Sequence, residues 1–367
     1  MKKLISLLLA TAMVLSLAAC GTSAGTPGTE PGAGTETTST EPESVTGGEA
    51  DPETVTVTGQ DALGEDIQVE VPYKPERVVV LDLANLDILD NLGLGDCVVG
   101  APTITLPYLQ SYNDDLPIIG SVKTPDLEAI MECEPDLILM GGRMSDYMDT
   151  LSEIAPVLRL TTVSDDGMVE TIRGNLKVLG AIFGVSEQVD ALLAQYDARI
   201  AALAEFAQGK TCVLGMSTSG SFNLLGNDGR CSLIVNEAGF DNIGAEAAAT
   251  GSSESGRSGG SGHGSGDADS SGAESGGSTP THGNEVSFEA IVALNPDYIF
   301  VMDRDSAIGS TGAQLAQEIM ENELIMKTDA YQNGNLVILE NPGIWYLAEG
   351  GITSLGIMLE DLENALN

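Results

Sequence analysis

Strand-like runs alternate with amphipathic segments along most of the chain, and this alternation predicts an α/β fold. The strand-like runs are 77–81, 96–100, 136–140, 157–160, 211–217, 221–225 and 336–339. Several of them are continuously apolar, as expected for strands of a sheet that is covered on both faces. Helical spacing of apolar residues occupies 83–92, 125–133, 146–154, 167–183, 186–207, 311–326 and 346–366. Alternating residues in 54–58 and 66–71 predict an opening β-hairpin.

One helix–strand unit occurs twice. The segments ending at Arg143 and Arg304 share an apolar residue followed by Glu-Ala-Ile, a Pro-Asp pair, an apolar strand and the arginine, without a gap. A repeat this far apart predicts two similar halves. Ligands of open α/β sheets bind beyond the carboxyl ends of the strands, so both arginines are placed where a ligand would lie.

The segment 186–207 predicts a helix about 33 Å long, long enough to join two lobes. We therefore predict an N-terminal α/β lobe over 54–185, a linking helix over 186–208 and a C-terminal α/β lobe over 209–367. The predicted fold class is α/β, with two Rossmann-like lobes joined by a single long α-helix. Residues 247–280, almost wholly Gly, Ser, Ala, Asp and Glu, predict a low-complexity insertion in the second lobe.

The N-terminus carries targeting signals. Two lysines precede an apolar run that ends in Leu-Ala-Ala-Cys20, which predicts a signal peptide over 1–20. The same four residues resemble the bacterial lipobox, which implies cleavage before Cys20 and a lipid on its sulfur. Residues 21–53, rich in Gly, Thr, Ser, Pro and Glu, predict a disordered tether. A lipid at Cys20 would hold the protein at the outer face of a membrane.

The chain is strongly acidic, with 55 acidic and 15 basic side chains and a formal net charge of −40. This balance argues against nucleic acid and anionic membrane surfaces as partners. Because basic residues are scarce, an arginine in a predicted cleft indicates an anionic ligand. The simpler alternative is that Arg143 and Arg304 pair with surface carboxylates.

Residues suited to metal binding or catalysis are few. Only His263 and His282 occur, so a site built from several imidazoles is excluded. No hydrolase, phosphate-loop or dinucleotide motif is found, and we predict neither an enzyme nor an intrinsic cofactor. Buried free thiols are favoured over disulfides for the cysteines after Cys20, which are Cys97, Cys133, Cys212 and Cys231.

From about residue 72 to the C-terminus, apart from the insertion, the chain resembles the substrate-binding lipoproteins of ABC-type iron–siderophore importers, which are class III periplasmic binding proteins. It is most similar to the branch that takes up ferric catecholates. Five segments in matching order carry the resemblance: Gly-Gly-Arg143 with 151–156, Gly-Arg230, Thr-His282-Gly, Asp-Arg304 and Trp-Tyr346-Leu-Ala.

The resemblance implies that Arg143, Arg230 and Arg304 face the anionic oxygens of a catecholate. Guanidinium groups suit this role because they are always charged and donate fixed hydrogen bonds. For tetradentate siderophores it also implies His282 and Tyr346 as ligands of the siderophore-bound Fe(III). The alternative is that Tyr346 is a core residue and His282 a polar loop residue.

The function implied is a lipid-anchored, monomeric receptor that binds a ferric siderophore between its lobes and delivers it to an ABC importer permease. Alternatives within this class are binding of haem, a corrinoid or a hydroxamate siderophore. An alternative of another class is an extracellular hydrolase that uses the same cleft.

Overall fold

A computed structural model of the chain describes residues 51–160, 167–250, 284–285, 287–310 and 314–366. The predicted signal peptide with Cys20, the tether as far as residue 50, both histidines and most of the predicted insertion lie outside these residues. Within the described ranges, no helix combines the length and apolar character needed to cross a membrane.

The opening hairpin forms as its alternating sequence predicts. Strands β1 (Thr54–Gln60) and β2 (Asp66–Pro72) pair antiparallel. The Asp61 side chain accepts two backbone N–H groups in the turn between them, and Gly64 has the positive φ of that turn. Val57 and Val71 are buried in the largest apolar cluster, so one face of the hairpin is attached to the core.

A first sheet follows, and in the described chain its four strands run parallel in the order β4–β3–β5–β6. The strands are β3 (Val78–Val80), β4 (Val98–Gly100), β5 (Leu137–Met140) and β6 (Val157–Arg159). The helices around them are α1 (Leu83–Asn91), α2 (Tyr112–Asp115), α3 (Leu127–Glu132) and α4 (Met148–Ser152). Val78 and Val80 pack in one apolar cluster and Val79 in another, because both faces of the sheet are covered.

Two longer helices come next, α5 (Met168–Phe183) and α6 (Ser186–Ala207). Gly184 ends α5 in the left-handed conformation that a glycine adopts readily. Helix α6 has 22 residues and packs against α5. The ion pair between Arg199 of α6 and Glu363 holds it to the C-terminal helix as well.

The second sheet has the order β10–β8–β7–β11–β12 in the described chain, with β9 paired to β7. Its strands are β7 (Thr211–Thr218), β8 (Ser221–Leu224), β9 (Asp241–Asn242), β10 (Asn284–Glu285), β11 (Tyr298–Asp303) and β12 (Leu336–Ile338). The helices are α7 (Leu233–Asn236), α8 (Ala245–Thr250), α9 (Phe288–Leu294), α10 (Arg304–Ala307), α11 (Ala316–Met320), α12 (Asp329–Gln332), α13 (Pro342–Leu347) and α14 (Ile352–Leu366). Strand β11 is parallel to β7 and β12, so the predicted α/β class is confirmed.

The sequence repeat corresponds to a structural repeat, α3–β5 in the first sheet and α9–β11 in the second. Glu134 and Asn295, which end the two helices, both have a φ of 46°. The aspartate of each Pro-Asp pair then fixes the start of a neighbouring strand. Asp136 accepts the backbone N–H of Arg77, and Asp297 accepts that of Thr211. The Pro-Asp pair therefore ties each unit to its sheet.

Three predicted segments differ from the structure. The predicted C-terminal helix over 346–366 is interrupted between α13 and α14, because Gly350 adopts a φ of 103° there. Of the predicted helix over 311–326, the described residues from 314 onwards form only α11 and a short 3-10 helix, Ile325–Lys327. The low-complexity insertion was predicted to begin at 247, but helix α8 continues to Thr250.

Helix α14 begins against α1. The buried carboxylate of Asp87 in α1 accepts the backbone N–H of Ser354, 3.1 Å away in the first turn of α14. It also accepts a hydrogen bond of 2.8 Å from Asn91. Burial raises the pKa of Asp87 to about 6, and the hydrogen bonds from Thr353 and Ser354 oppose this shift.

We expect Asp87→Asn to remove part of the pH dependence of stability. An unfolded aspartate has a pKa of about 3.9, so the folded protein holds the extra proton between that pH and about 6. The free energy of unfolding therefore falls as pH rises through this window, by at most about 3 kcal/mol from this group. Asparagine keeps the acceptor oxygen without the charge. Melting at pH 4 and pH 7 should show a smaller loss for the variant.

The exposed Asp96 supplies a matched control, and Asp96→Asn should melt like the unmodified protein at both pH values. Parallel losses of stability in the Asp87→Asn variant and the unmodified protein would contradict the assignment.

Candidate functional site

Arg143 lies just beyond the carboxyl end of β5, in a 3-10 helix over Gly142–Tyr147. Its Nη2 donates a hydrogen bond of 2.8 Å to the backbone carbonyl of Tyr346. Burial raises the pKa of the neighbouring Asp82, and the charge of Arg143 opposes that shift. A Cβ at Gly141 would lie 2.4 Å from Asp82 Oδ2, so the glycine permits the close approach.

Arg304 has the corresponding place in the second sheet, as the first residue of α10 directly after β11. Its Nε donates to the hydroxyl of Tyr346 at 3.1 Å, and its Nη1 donates to Thr218 Oγ1 at 3.2 Å. The buried carboxylate of Asp305 lies 3.6 Å from the same Nη1. Both arginines of the repeat thus lie at the carboxyl ends of strands.

Arg230 approaches from the turn between β8 and α7. Its Nη1 donates to the carbonyl of Tyr346 at 2.8 Å, and its guanidinium carbon lies 4.1 Å from the centroid of the Tyr346 ring. Burial lowers the pKa of Arg230; the charge of Glu349 opposes this shift and that of Arg143 adds to it. The group remains cationic at neutral pH, since an arginine starts above 12.

Tyr346 is the residue on which the three arginines converge. It is buried in α13, and only 4 % of its surface is exposed. Its carbonyl lies near the C-terminal end of the helix, where carbonyls lack helical partners, and accepts from Arg143 and Arg230. Its hydroxyl accepts a hydrogen bond from Arg304 Nε. The guanidinium groups of Arg304 and Arg230 both lie near the aromatic ring of Tyr346. The structure therefore brings together four of the predicted site residues, and His282 lies outside the described ones.

The arrangement concentrates positive charge in an otherwise acidic protein. Like charges at such short range repel one another, so the cluster requires nearby negative charge. Each guanidinium has a buried carboxylate as a neighbour: Asp82 for Arg143, Glu349 for Arg230 and Asp305 for Arg304. A ligand with several anionic oxygens is the kind of molecule that such a cluster attracts.

Glu349 is a site residue that the sequence did not indicate. It lies two residues beyond α13, fully buried, and its Oε1 accepts the backbone N–H of Cys231 at 3.0 Å. Burial raises the pKa of Glu349 to about 7, although Arg230, the N–H of Cys231 and Arg143 favour the charged form. In a chain with 55 acidic residues, no spacing or motif distinguished this one.

A cavity of about 1010 Å³ is lined by chain neighbours of Arg304 and Tyr346, but by none of the three arginines or Tyr346 themselves. Its walls include Ser306 and Ala307, which follow Arg304 in α10, and Ile344 and Leu347, which flank Tyr346 in α13. Opposite them lie Thr105 and Tyr108 from the first sheet's loops. Residues that follow strands of both sheets thus form the walls of this cavity, which is large enough for a ligand of several rings. Another cavity, of about 540 Å³, lies beside the hairpin and likewise is lined by none of the predicted site residues.

Within the described ranges, no group of three or more His, Cys, Asp or Glu side chains is placed to hold a metal ion. Cys97, Cys133, Cys212 and Cys231 are all free thiols, in agreement with the prediction for these cysteines.

The chain is similar to known binding proteins. Residues 78–342 match the model of the family described as periplasmic binding protein. The petrobactin-binding protein YclQ of Bacillus subtilis is 32% identical over 301 residues, which are 81% of this chain and 84% of YclQ. The ferric-anguibactin-binding protein FatB of Vibrio anguillarum is 26% identical over 304 residues, 80% of this chain and 84% of FatB.

Solved structures show the same fold. The crystal structure of YclQ superposes with a TM-score of 0.70 at 31% identity, covering 86% of this chain and 99% of that one. The catecholate-siderophore binding protein VctP of Vibrio cholerae superposes with a TM-score of 0.67 at 29% identity, covering 84% of this chain and 100% of that one. The predicted arrangement of two α/β lobes joined by one long helix, the class III type, is confirmed by this agreement.

Proposed function

Because the chain belongs to the periplasmic binding protein family, we propose that it is a receptor for a ferric siderophore, of the catecholate type, that supplies an ABC importer. Its relatives are named for such ligands: YclQ for petrobactin, FatB for ferric anguibactin and VctP for a catecholate siderophore. The observation that carries the proposal for this chain is the convergence of Arg143, Arg230 and Arg304 on Tyr346.

The charges of the site favour this ligand class. A ferric catecholate is multiply anionic, and its oxygens accept hydrogen bonds from guanidinium groups. Arg143 and Arg230 donate to the single carbonyl of Tyr346, so both retain further N–H groups for a ligand. A neutral hydroxamate complex would offer these guanidinium groups no net negative charge to pair with. The cluster therefore selects anionic chelates over neutral ones.

The tyrosine hydroxyl is the second element of the proposal. Fe(III) is a hard ion and favours phenolate oxygen, and a tetradentate siderophore leaves two positions on iron open. Tyr346 and His282 fill these positions in our proposal. The hydrogen bond from Arg304 Nε to the Tyr346 hydroxyl holds that oxygen beside the arginine cluster.

The setting of the receptor completes the proposal. The ligand is held between two lobes, 54–185 and 209–367, with the helix over 186–208 between them. Cleavage before Cys20 and attachment of lipid to its sulfur anchor the protein at the outer face of the membrane, with 21–53 as the tether. The receptor works as a monomer, and the permease of the importer is its partner.

The purified protein, titrated with ferric azotochelin, a tetradentate bis(catecholate), tests the proposal. Trp345 is the chain's only tryptophan and precedes Tyr346 directly, so quenching of its fluorescence reports a ligand at the site. We expect saturable quenching with this complex and none with a neutral ferric hydroxamate. Quenching by the hydroxamate alone would refute the catecholate assignment.

A further inference from the structure

Glu349 is a buried acid directly behind the arginine cluster. Only 5 % of its surface is exposed. Its Oε1 accepts the N–H of Cys231, whereas its Oε2 is buried without a hydrogen-bond partner among the described residues. Arg230 Nε is likewise buried and unpartnered in the described chain. A carboxylate with one unsatisfied oxygen away from water is costly in its charged form.

The hydrogen bond to Cys231 gives Glu349 a positioning role. Cys231 has a φ of 63°, a left-handed conformation that residues with a Cβ rarely adopt. Such a conformation persists only where surrounding contacts hold it, and the bond from its N–H to Glu349 is one of these contacts. Because Arg230 precedes Cys231 directly, the bond fixes the turn that presents the Arg230 guanidinium.

The charged groups that face Glu349 come from three parts of the fold. Arg230 and Arg143 stabilise its charged form, and Glu237, at the end of α7, disfavours it. The fourth titratable neighbour, Cys231, is fully buried, and burial raises the pKa of its thiol, so it is neutral. No ion pair joins Glu349 to Arg230 in the described part of the chain, so their interaction acts through space.

We propose that Glu349 positions Arg230 and takes up a proton when an anionic ligand binds, so that ligand and proton bind together. An anion at the cluster offsets the positive charge that stabilises the Glu349 carboxylate. The carboxylate then becomes costlier and takes a proton from solvent. Once Glu349 is neutral, its carboxylate no longer offsets the positive charge of Arg230, and the ligand is attracted more strongly. This inference rests on the proposed binding of an anionic chelate at the cluster.

The sign of the pH dependence follows from this linkage. The pKa of Glu349 is about 7, and a bound anion raises it further. Between this pH and the higher pKa of the bound state, binding is accompanied by protonation of Glu349, so affinity falls as pH rises. Below this range, the residue is already neutral and contributes no pH dependence. A rise of one unit on binding corresponds to an affinity about tenfold lower at high pH.

Glu349→Gln tests the proposal because glutamine keeps an oxygen acceptor for Cys231 but cannot be charged. Calorimetry with ferric azotochelin at pH 7, in buffers of different ionisation enthalpy, counts the protons taken up per ligand. We expect fewer protons for Glu349→Gln than for the unmodified protein. We also expect the variant to bind about tenfold more tightly at pH 8.5 and equally at pH 5.5. Loss of a proton from Tyr346 on iron binding affects both proteins equally and cancels in the difference.

Asp87→Asn is the matched control, since Asp87 is another buried acid with a raised pKa but contacts α14 instead of the arginines. Its proton count should equal that of the unmodified protein. Equal counts for Glu349→Gln and the unmodified protein, or an affinity ratio that is constant with pH, would overturn the inference. Absence of ferric azotochelin binding in every protein would instead refute the proposed function.

Should Glu349→Gln fail to fold, the unmodified protein still provides a test with ferric enterobactin, a hexadentate catecholate that leaves no position on iron for Tyr346. We expect net proton uptake near pH 7 with this ligand. No uptake, or release of protons, would overturn the inference.

Discussion

Alanine in place of Arg143, Arg230 or Arg304 is expected to weaken binding of a ferric catecholate by more than 1 kcal/mol in each variant. A hydrogen bond to a charged group is worth about 1.5–3 kcal/mol, and each substitution removes at least one donor of this kind. All three guanidinium groups converge on Tyr346, so the effect should be of similar size in the three variants. Quenching of Trp345 by ferric azotochelin gives the three dissociation constants.

A matched control separates the site from general charge effects. Arg173 in α5 is paired with Glu170 at the surface, and its replacement by alanine also removes one positive charge. Arg173→Ala should bind the chelate as tightly as the unmodified protein, with melting curves recorded for every variant. Unchanged affinity in all three cluster variants would show that the ligand is held elsewhere.

Tyr346→Phe is expected to have the second large effect, and the effect should depend on the denticity of the siderophore. Phenylalanine keeps the ring and the backbone carbonyl that accepts from Arg143 and Arg230, and it removes only the hydroxyl. A tetradentate ferric complex then loses a ligand of its iron, and we expect its affinity to fall on the order of 10- to 100-fold. A hexadentate complex needs no such ligand and should lose much less.

Visible absorbance of the bound tetradentate complex adds an independent readout, because a phenolate on Fe(III) contributes its own charge-transfer band. Tyr298→Phe is the control: this tyrosine is also buried, but it packs against Phe240 and Phe300 in an aromatic cluster. Equal losses for tetradentate and hexadentate complexes in Tyr346→Phe would argue that the hydroxyl does not reach iron.

Much of the fold was predictable because strands covered on both faces are short and continuously apolar. The runs that include Val78–Val80 and Leu137–Met140 had no other reasonable interpretation, and the gap-free repeat located α9 and β11 from α3 and β5. The C-terminal helix was predicted wrongly because apolar spacing continues through 346–366. Only the backbone conformation of Gly350 reveals the interruption, and spacing alone does not report it.

The site was predictable to different degrees. Arg143 and Arg304 follow from their places at strand ends, and the same rule would have found Asp82 and Thr218. Arg230 and Tyr346 came from the family resemblance, since neither ends a parallel strand. Glu349 was missed because burial, which gives the residue its chemistry, depends on how the interrupted helices pack and not on local sequence.

The contact between α1 and α14 also has a consequence for how the chain reaches its native state. Ser354 and Asp87 are 267 positions apart, and Thr353 and Asn91 are 262 positions apart. Pairings so distant form late and slow the folding reaction, because a large loop must close first. Helix α1 therefore completes its packing only after the C-terminal helix α14 has been synthesised. For a chain with a predicted export signal, this delay would prolong the unfolded state in which translocation takes place.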